Sequence, residues 1–507
     1  MTIEAMLRDL QVIRSSCPPG LTVRGVTHDS RQVRPGSLFV AVRGLKSDGL
    51  AHAPQAAAAG AAAVVVGRGR FAEAAAILGG PGLPVIEVED ERIALAIIGR
   101  NAAGRPDLEM PVTGVTGTNG KTTTAYLLTA MWEASGIRCG MIGTIEYRLG
   151  AETLHGERTT PEAPEIHRYL RRMRDAGAGA CVIEVSSQGL DLARVEGMRF
   201  AAAIFTNLTR DHLDYHHDME TYFAAKRRLF DGLPAEAVAI LNADDPYGLR
   251  LAAAEGRRSV LYGSSPRAEF RLVGFEGGIG GSTLRLAAEG RELELRSPLP
   301  GRPNAGNILA AAAAARSLGI SWISIEEGLR AMRRVPGRLE RIEAGQPFAV
   351  VVDYAHTDDA LRNVLEVLRP LTAGRLIAVF GCGGDRDRSK RPLMGAHAAR
   401  LSDLAWATSD NPRTEDPLSI IGMILSGARA VPGGEARVRV EPDREAAIAA
   451  ALAEARPGDT VLIAGKGHES EQIIGDRLIP FNDAEVARRL IEARRGAEGG
   501  DAGGEIE

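Results

Sequence analysis

The sequence predicts an α/β protein of about three domains, and three observations predict it. First, 507 residues exceed what one hydrophobic core organises. Second, short strand-like apolar runs alternate with helical patterns through residues 106–495: Cys181–Val185, Ala202–Phe205, Ala237–Leu241, Val350–Val352, Leu376–Phe380 and Val461–Ala464. Third, the polar clusters follow these runs directly, and in parallel sheets covered by helices ligands gather beyond the carboxyl ends of the strands.

In chain order, residues 1–105 form a first block, with strands expected at Leu38–Val42, Ala63–Val66 and Val85–Val88 between alanine-rich helical stretches. A second block, 106–336, opens on the apolar run after Pro111, and a third spans 337–495. The Gly- and acid-rich residues 496–507 read as a disordered tail. The alanine runs Ala56–Ala59 and Ala310–Ala315 read as helix.

Composition narrows the function. Hydrophobic residues at 45% and charged residues at 25% describe a soluble globular chain. A net charge of -4 argues against a nucleic-acid partner held by a basic surface. Cys17, Cys139, Cys181 and Cys382 lie far apart with no C-x-x-C pair, so neither a zinc site nor a disulfide framework is indicated. The N-terminus lacks the apolar core of a signal peptide, and no apolar stretch is long enough to span a bilayer. A reduced, cytoplasmic, monomeric protein without membrane insertion is expected.

The strongest local signal is Val112-Thr113-Gly114-Val115-Thr116-Gly117-Thr118-Asn119-Gly120-Lys121-Thr122-Thr123. A strand runs into a glycine-rich turn and a helix follows over Thr122–Ala134. Glycines let successive N–H groups converge on phosphate oxygens, and the helix N-terminus adds a favourable dipole. Lys121 would neutralise terminal phosphates and the Thr122 hydroxyl suits Mg²⁺. The spacing Gly114, Gly117, Gly120 is a variant of G-x-x-x-x-G-K-[ST], because Val115 stands where that pattern has glycine.

Further along, Glu184 ends a strand, where its carboxylate would meet Mg²⁺ as a hard oxygen ligand. Tyr222, Lys226 and Phe230 share an i,i+4 row, which turns Lys226 onto the apolar face and Arg227 and Arg228 elsewhere. An inward lysine either snorkels outward or is functional, since burial lowers its pKa and frees the amine. His212, His216 and His217 read on their own as loop histidines.

The phosphate loop resembles that of the Mur ligase family, of the form G-T-x-G-K-T/S, and the resemblance covers nearly the whole chain. Ahead of the loop lie Thr27-His28-Asp29-Ser30-Arg31 and Pro35-Gly36-Ser37-Leu38-Phe39-Val40-Ala41. After it come Thr159-Thr160-Pro161, Glu184-Val185-Ser186-Ser187, Thr206-Asn207-Leu208, Asp211-His212-Leu213-Asp214 and Pro336-Gly337-Arg338. The third block adds Asp353-Tyr354-Ala355-His356, Asp410-Asn411-Pro412-Arg413 and Gly465-Lys466-Gly467-His468-Glu469.

The resemblance implies a P-loop-type central ATPase domain with a parallel or mixed sheet, a Rossmann-like C-terminal domain and a small N-terminal domain for a UDP-linked substrate. It implies an ATP- and Mg²⁺-dependent ligase of peptidoglycan precursor synthesis, adding meso-diaminopimelate to UDP-N-acetylmuramoyl-L-alanyl-D-glutamate through an acyl phosphate. ATP would meet Gly117, Thr118, Asn119, Gly120, Lys121, Thr122 and Thr123, with Asn304 near the adenine and Arg338, Asp353 and His356 from the third block. Lys121, Glu184, His212 and Lys226 would be catalytic. Magnesium would be held through Thr122, Glu184, His212 and Lys226 as its carbamate. The muramyl dipeptide would take His28, Ser30, Leu45, Lys46, Ser47, Arg158, Thr159, Thr160, Ser186, Leu192 and Arg194. Diaminopimelate would take Arg386, Asp410, Asn411, Pro412, Arg413, Gly465 and Glu469. Two positions depart from the family pattern: Leu192 stands where glutamine is frequent, and Arg158 where an uncharged residue is common.

Diaminopimelate has a second carboxylate at its far end and lysine does not. A guanidinium such as Arg413 binds a carboxylate through two parallel hydrogen bonds, and leaving it unpaired imposes discrimination. The alternatives are an L-lysine-adding or D-alanyl-dipeptide-adding ligase of the same family, a folylpolyglutamate-type ligase, or a non-catalytic nucleotide-binding regulator. A dinucleotide fingerprint at Gly381-Cys382-Gly383-Gly384 fails at Arg386.

Overall fold

The computed structural model describes residues 1–44, 47–79, 82–253, 256 and 258–500. The chain divides into two compact units, the first comprising Met1–Leu272, Ala287–Arg291 and Asn307–Gly328, the second Val273–Leu286, Glu292–Gly306 and the residues from Leu329 onward.

The first unit contains two sheets. A five-stranded sheet runs in the order Val12–Ser15, Val85–Val88, Ala63–Val66, Ser37–Val40, Gly25–Thr27. Its first pair is antiparallel with an irregularity between Val12 and Arg14, and the other pairs are parallel. Ser37–Val40, Ala63–Val66 and Val85–Val88 are buried at every position, as continuous Val/Ile/Leu runs covered on both faces should be.

The second sheet has Val112–Thr116 at its heart, flanked in parallel by Ala180–Glu184 and Ala202–Phe205. Cys139–Ile142 pairs beyond Ala180–Glu184, and Val238–Asn242 beyond Ala202–Phe205. The register sets Glu184 opposite Val115 and Phe205 opposite Thr116, so three strands end side by side. Helix Lys121–Ala134 follows Val112–Thr116, one residue earlier at its start than the sequence suggests, because Gly120 in the left-handed conformation (φ 86°) supplies the N-cap. The apolar faces of these elements close a core that includes Val112, Ile183, Phe205, Tyr222 and Phe230.

The second unit is built on a six-stranded sheet in the order Glu340–Arg341, Ala349–Asp353, Thr460–Ala464, Leu376–Cys382, Leu404–Ser409, Val438–Val440, all parallel except the first pair. Its helices bury apolar residues on both faces. Asp353, Ala464, Cys382 and Ser409 end four successive parallel strands at one edge of the sheet. The closing helix, Asp483–Gly500, runs beyond Arg495, where the sequence had suggested disorder; the remainder of that tail lies outside the described residues. Among the described residues no helix is long and apolar enough to cross a membrane.

Candidate active site

At the carboxyl ends of the first unit's strands, the loop 117–120 turns tightly enough to demand glycine. Gly117 has φ 148°, and a Cβ there would collide with the Thr206 hydroxyl. At Gly120 a Cβ would collide with the Asn307 amide. Thr206 accordingly braces the loop, its hydroxyl donating to Asn119 O at 2.6 Å, while Asn207 Oδ1 accepts from Asn119 N–H at 2.9 Å. Lys121 folds back over the loop, donating from Nζ to Gly117 O at 3.0 Å and Thr118 O at 2.9 Å. Thr122 and Thr123 are buried in the first turn of the helix.

Glu184 is fully buried at its strand end. Oε2 accepts from the Thr122 hydroxyl at 2.9 Å and the Thr144 hydroxyl at 3.0 Å, and Oε1 accepts from Thr144 N–H at 2.9 Å. Among the described residues this carboxylate forms no ion pair, so neutral donors alone hold its charge away from water. Buried charges need compensation. A divalent cation beside Thr122 and Glu184 would supply it, and the hard hydroxyl and carboxylate oxygens suit Mg²⁺. No group of three or more His, Cys, Asp or Glu side chains among the described residues could hold a metal by itself, so such an ion would depend on Thr122 and non-protein oxygens as well.

Lys226 is 1% exposed, as its apolar row implied. Its Nζ donates to Gly117 O at 2.9 Å and lies 4.6 Å from the Tyr222 ring centre. Burial, reinforced by Lys121, holds its pKa well below the ordinary lysine value. Burial thus disfavours the ammonium form of this amine at the loop's edge. Tyr222, which the sequence reading assigned only to packing, reaches Thr118 Oγ1 with its hydroxyl at 3.2 Å. His212 is exposed, in the left-handed conformation (φ 53°), with Nε2 3.4 Å from Asp211 Oδ2. His216 differs: it is buried, stacked on Tyr222, and shares a 2.9 Å hydrogen bond with Ser187.

Next to this cluster an open cavity of about 690 Å³ lies between the segment that follows Gly25–Thr27 and the helix Ala163–Asp175. His28, Ser30, Ser47 and Arg158 line it, together with Glu162, Arg168 and the Tyr147–Tyr169 ring pair. Thr159 bonds Thr144 through paired hydroxyls at 3.0 Å, and the Thr160 hydroxyl bonds Glu184 O at 2.9 Å and Ser186 Oγ at 3.1 Å. Arg194 joins Glu162 at 2.7 Å and donates to Thr160 O, and Arg158 joins the same carboxylate at 2.8 Å. Leu192 is half-buried at the end of the helix Ser187–Asp191. Leu45 and Lys46 lie outside the described residues. Glu162 and Thr144 were missed in the sequence; the only signal for Glu162 was its place beside Thr159-Thr160-Pro161.

In the second unit, Arg338 lies over the Tyr354 ring at 4.9 Å, and Asp353 Oδ2 accepts from Leu339 N–H at 2.7 Å. Burial raises the Asp353 pKa, with Arg338 acting against it. His356 bonds Tyr354 O at 2.9 Å through Nδ1, and burial beside Lys390 lowers its pKa. Asn304 is buried and donates to Pro300 O at 2.8 Å, a local bond at the start of its helix.

The loop 410–413 lies along a two-stranded hairpin, Glu471–Ile474 with Arg477–Pro480. Arg413 N–H donates to Ile473 O at 3.0 Å, and Gly475 N–H donates to Arg413 O at 2.7 Å. Its guanidinium reaches Gly384 O at 2.7 Å. Asp410 is buried, its carbonyl accepting from Gln472 at 2.8 Å, and Gly465 packs against its carboxylate. Pro412 O abuts Gly384, where no Cβ fits. Asn411 donates to Glu469 Oε2 at 2.9 Å, and Arg386 turns its guanidinium back to Asp385 O at 3.4 Å. Arg386, Asp410, Asn411, Pro412, Arg413, Gly465 and Glu469 thus lie close together around the loop 410–413. Lys466, fully buried among them, was quoted in a motif but given no role.

Three family models match: the catalytic domain of the Mur ligase family over residues 22–102, the Mur ligase middle domain over 115–315, and the glutamate ligase domain of Mur ligases over 337–467. A protein of Solibacter usitatus named UDP-N-acetylmuramoyl-L-alanyl-D-glutamate--2,6-diaminopimelate ligase is 47% identical over 474 residues, covering 93% of this chain and 94% of its own. One of the same name from Aquifex aeolicus is 43% identical over 469 residues, covering 92% and 94%. A solved structure of a ligase of that name superposes with a TM-score of 0.69 at 31% identity, over 98% of this chain and 99% of the other. A folylpolyglutamate synthase of Mycobacterium tuberculosis, solved with ADP and AMPPCP, shares the fold at 20% identity, with a TM-score of 0.59 over 74% of this chain and 92% of its own. The chain belongs to the Mur ligase family.

Proposed function

We propose that this chain is an ATP-dependent ligase of peptidoglycan precursor synthesis. It joins meso-diaminopimelate to the D-glutamyl side-chain carboxylate of UDP-N-acetylmuramoyl-L-alanyl-D-glutamate. The observation that carries this reading is the convergence of Lys121, Thr122, Glu184 and Lys226 on the loop 117–120, in a chain whose relatives over nine-tenths of its length bear that ligase's name. A cytoplasmic monomer acting on small molecules, without nucleic-acid or membrane partners, fits this reading.

Amide formation from a carboxylate requires activation. ATP phosphorylates the carboxylate to an acyl phosphate; the amine of diaminopimelate then attacks, the tetrahedral intermediate collapses, and phosphate leaves. Such transfers need positioning and charge neutralisation more than covalent help from the protein. The N–H groups of Gly117 to Thr123 would cradle the nucleotide phosphates, and Lys121 would exchange its bonds to Gly117 O and Thr118 O for phosphate oxygens. Bound Mg²⁺ would offset charge on the transferring group, and Thr122, Glu184, His212 and carbamylated Lys226 would hold it. The buried amine of Lys226 supports the carbamate, since only a neutral amine adds CO₂. Arg338, Asp353, His356 and Asn304 would take the nucleoside.

The muramyl dipeptide would occupy the cavity beside His28, Ser30, Ser47 and Arg158, reaching Glu184 past Thr159, Thr160, Ser186 and Arg194. Arg413, Asp410, Asn411, Glu469 and Arg386 would take diaminopimelate. The test is incubation of the dipeptide, ¹⁸O-labelled in its glutamyl carboxylate, with ATP, Mg²⁺ and diaminopimelate. Label in the released phosphate together with a tripeptide product supports the reading; a tripeptide with unlabelled phosphate overturns the acyl-phosphate route, and absence of product overturns the ligase assignment.

A further inference from the structure

Lys466 has no part in the reaction as described, yet it is a fully sealed cation beside the loop 410–413. Its side chain is 0% exposed, between Gly465 and Gly467 just past the strand Thr460–Ala464. Burying an ammonium is costly unless each of its three donors is satisfied. Here all three are: Nζ donates to Asn411 Oδ1 at 3.1 Å, Glu469 Oε2 at 3.0 Å and Glu471 O at 2.6 Å.

These bonds determine more than the lysine's own position. Asn411 Oδ1 also accepts from Ile473 N–H at 3.0 Å, which occupies both of its lone pairs and forces the amide nitrogen the other way. That nitrogen donates to Glu469 Oε2 at 2.9 Å. Glu469 Oε2 therefore receives Lys466 and Asn411 together, and among the described residues no donor takes Oε1, which leaves it as the oxygen for an incoming cation. The Glu469 side chain is 33% exposed while the lysine behind it is sealed, so the carboxylate is braced from within and open outward. Directly through Glu471 O, and through Asn411 Oδ1 to Ile473 N–H, the same ammonium anchors the hairpin on which Arg413 is laid.

We propose that Lys466 is a positioning residue for amino-acid specificity: it orients Glu469 toward an ammonium group of the incoming diamino acid and holds Asn411 and the Arg413 loop in register. This rests on the reading that Glu469 and the loop 410–413 receive the amino acid. A purely structural lysine would affect every substrate alike, whereas a positioning lysine acts on one.

The test is steady-state kinetics of the wild type, Lys466→Met and Lys466→Gln, varying diaminopimelate and ATP separately, with thermal unfolding of each protein. Lys466→Met is expected to raise KM for diaminopimelate about tenfold or more, while KM for ATP and kcat stay within about threefold; Lys466→Gln, whose amide keeps two of the three donors without the charge, falls between. Should Lys466→Met fail to fold, Lys466→Gln alone carries the test. Wild-type KM for diaminopimelate in a folded variant overturns the proposal, and so does an equal loss for both substrates. A wild type that ignores diaminopimelate overturns the ligase reading itself, whereas an active wild type with indifferent variants overturns only the role of Lys466.

Discussion

Thr144 N–H and Oγ grip opposite oxygens of the Glu184 carboxylate, at 2.9 Å and 3.0 Å, although forty positions separate the two residues in sequence. With the Thr122 hydroxyl as a third donor, Glu184 has one orientation available. If that orientation presents it to Mg²⁺, Thr144→Val should weaken Mg²⁺ binding by about 10–100-fold, the usual effect of removing a ligand's own hydrogen-bond partner. Thr144→Ser should restore it. Mn²⁺ titration followed by electron paramagnetic resonance, with ATP present, reads the affinity independently of turnover; equal affinity in all three proteins would remove Thr144 from the account.

Lys226 offers a second prediction. Its amine, sealed from water beside Gly117 O and with its pKa held well below the ordinary lysine value by burial, should take up carbon dioxide. Protein equilibrated with ¹³C-bicarbonate should show a carbamate carbon resonance that Lys226→Arg lacks. Acidification should erase the signal, since protonation of the amine competes with addition. The same spectrum from both proteins would rule out the modification.

His167 concerns stability instead. It is completely buried, neither ring nitrogen has a hydrogen-bond partner among the described residues, and the buried Arg100–Asp107 ion pair acts on it electrostatically. Burial lowers its pKa to about 4, so the fold holds it neutral. The unfolded chain protonates near the ordinary value of about 6.5, so this contribution is complete above that pH and is lost on acidification toward about 4, at up to ~1.4 kcal/mol per pH unit. Urea midpoints at about pH 7.5 and about pH 5 should differ less in His167→Phe than in the wild type. Equal acid sensitivity would place the proton elsewhere.

In the second unit, Arg444 and Asp483 form a doubly bonded pair at 2.7 Å, both side chains 0% exposed. Arg444 also reaches Ser409 O and Ala464 O, at the ends of two strands next to the loop 410–413. Asp483→Ala would strand a buried guanidinium and should cost about 3–5 kcal/mol. Chemical denaturation with a probe in the second unit measures this. A loss below about 1 kcal/mol would mean that water or another acid replaces Asp483.

Much of this was legible in the sequence because it is local. The strand–turn–helix at Val112–Ala134 follows from apolar periodicity and glycine, and the burial of Lys226 from its i,i+4 row with Tyr222 and Phe230. The strands Ala63–Val66, Val85–Val88 and Ala202–Phe205 occur at the residues expected. Thr144 was not legible, because its partnership with Glu184 exists only once the sheet brings the segment after Cys139–Ile142 beside Ala180–Glu184. Lys466 was in plain view, but nothing in Gly465-Lys466-Gly467 says that the chain turns the lysine inward to Asn411 and Glu469. Asn411, read from its motif as a ligand contact, has its side chain largely committed to that internal network. The helical continuation to Gly500 was obscured by a glycine-rich composition.

The central claim is that this chain uses ATP to add meso-diaminopimelate, and that Arg413 reads its distal carboxylate. The most direct test is phosphate release by the purified protein with ATP, Mg²⁺ and UDP-N-acetylmuramoyl-L-alanyl-D-glutamate, with meso-diaminopimelate or L-lysine supplied in parallel. Turnover is predicted with diaminopimelate, and a loss of about 10³-fold or more in kcat/KM with lysine, since the half-buried Arg413 guanidinium, held by Gly384 O, would lose the charge-assisted hydrogen bonds to its carboxylate. Comparable turnover with lysine would contradict the assignment of Arg413, and no turnover with either amino acid would contradict the ligase itself.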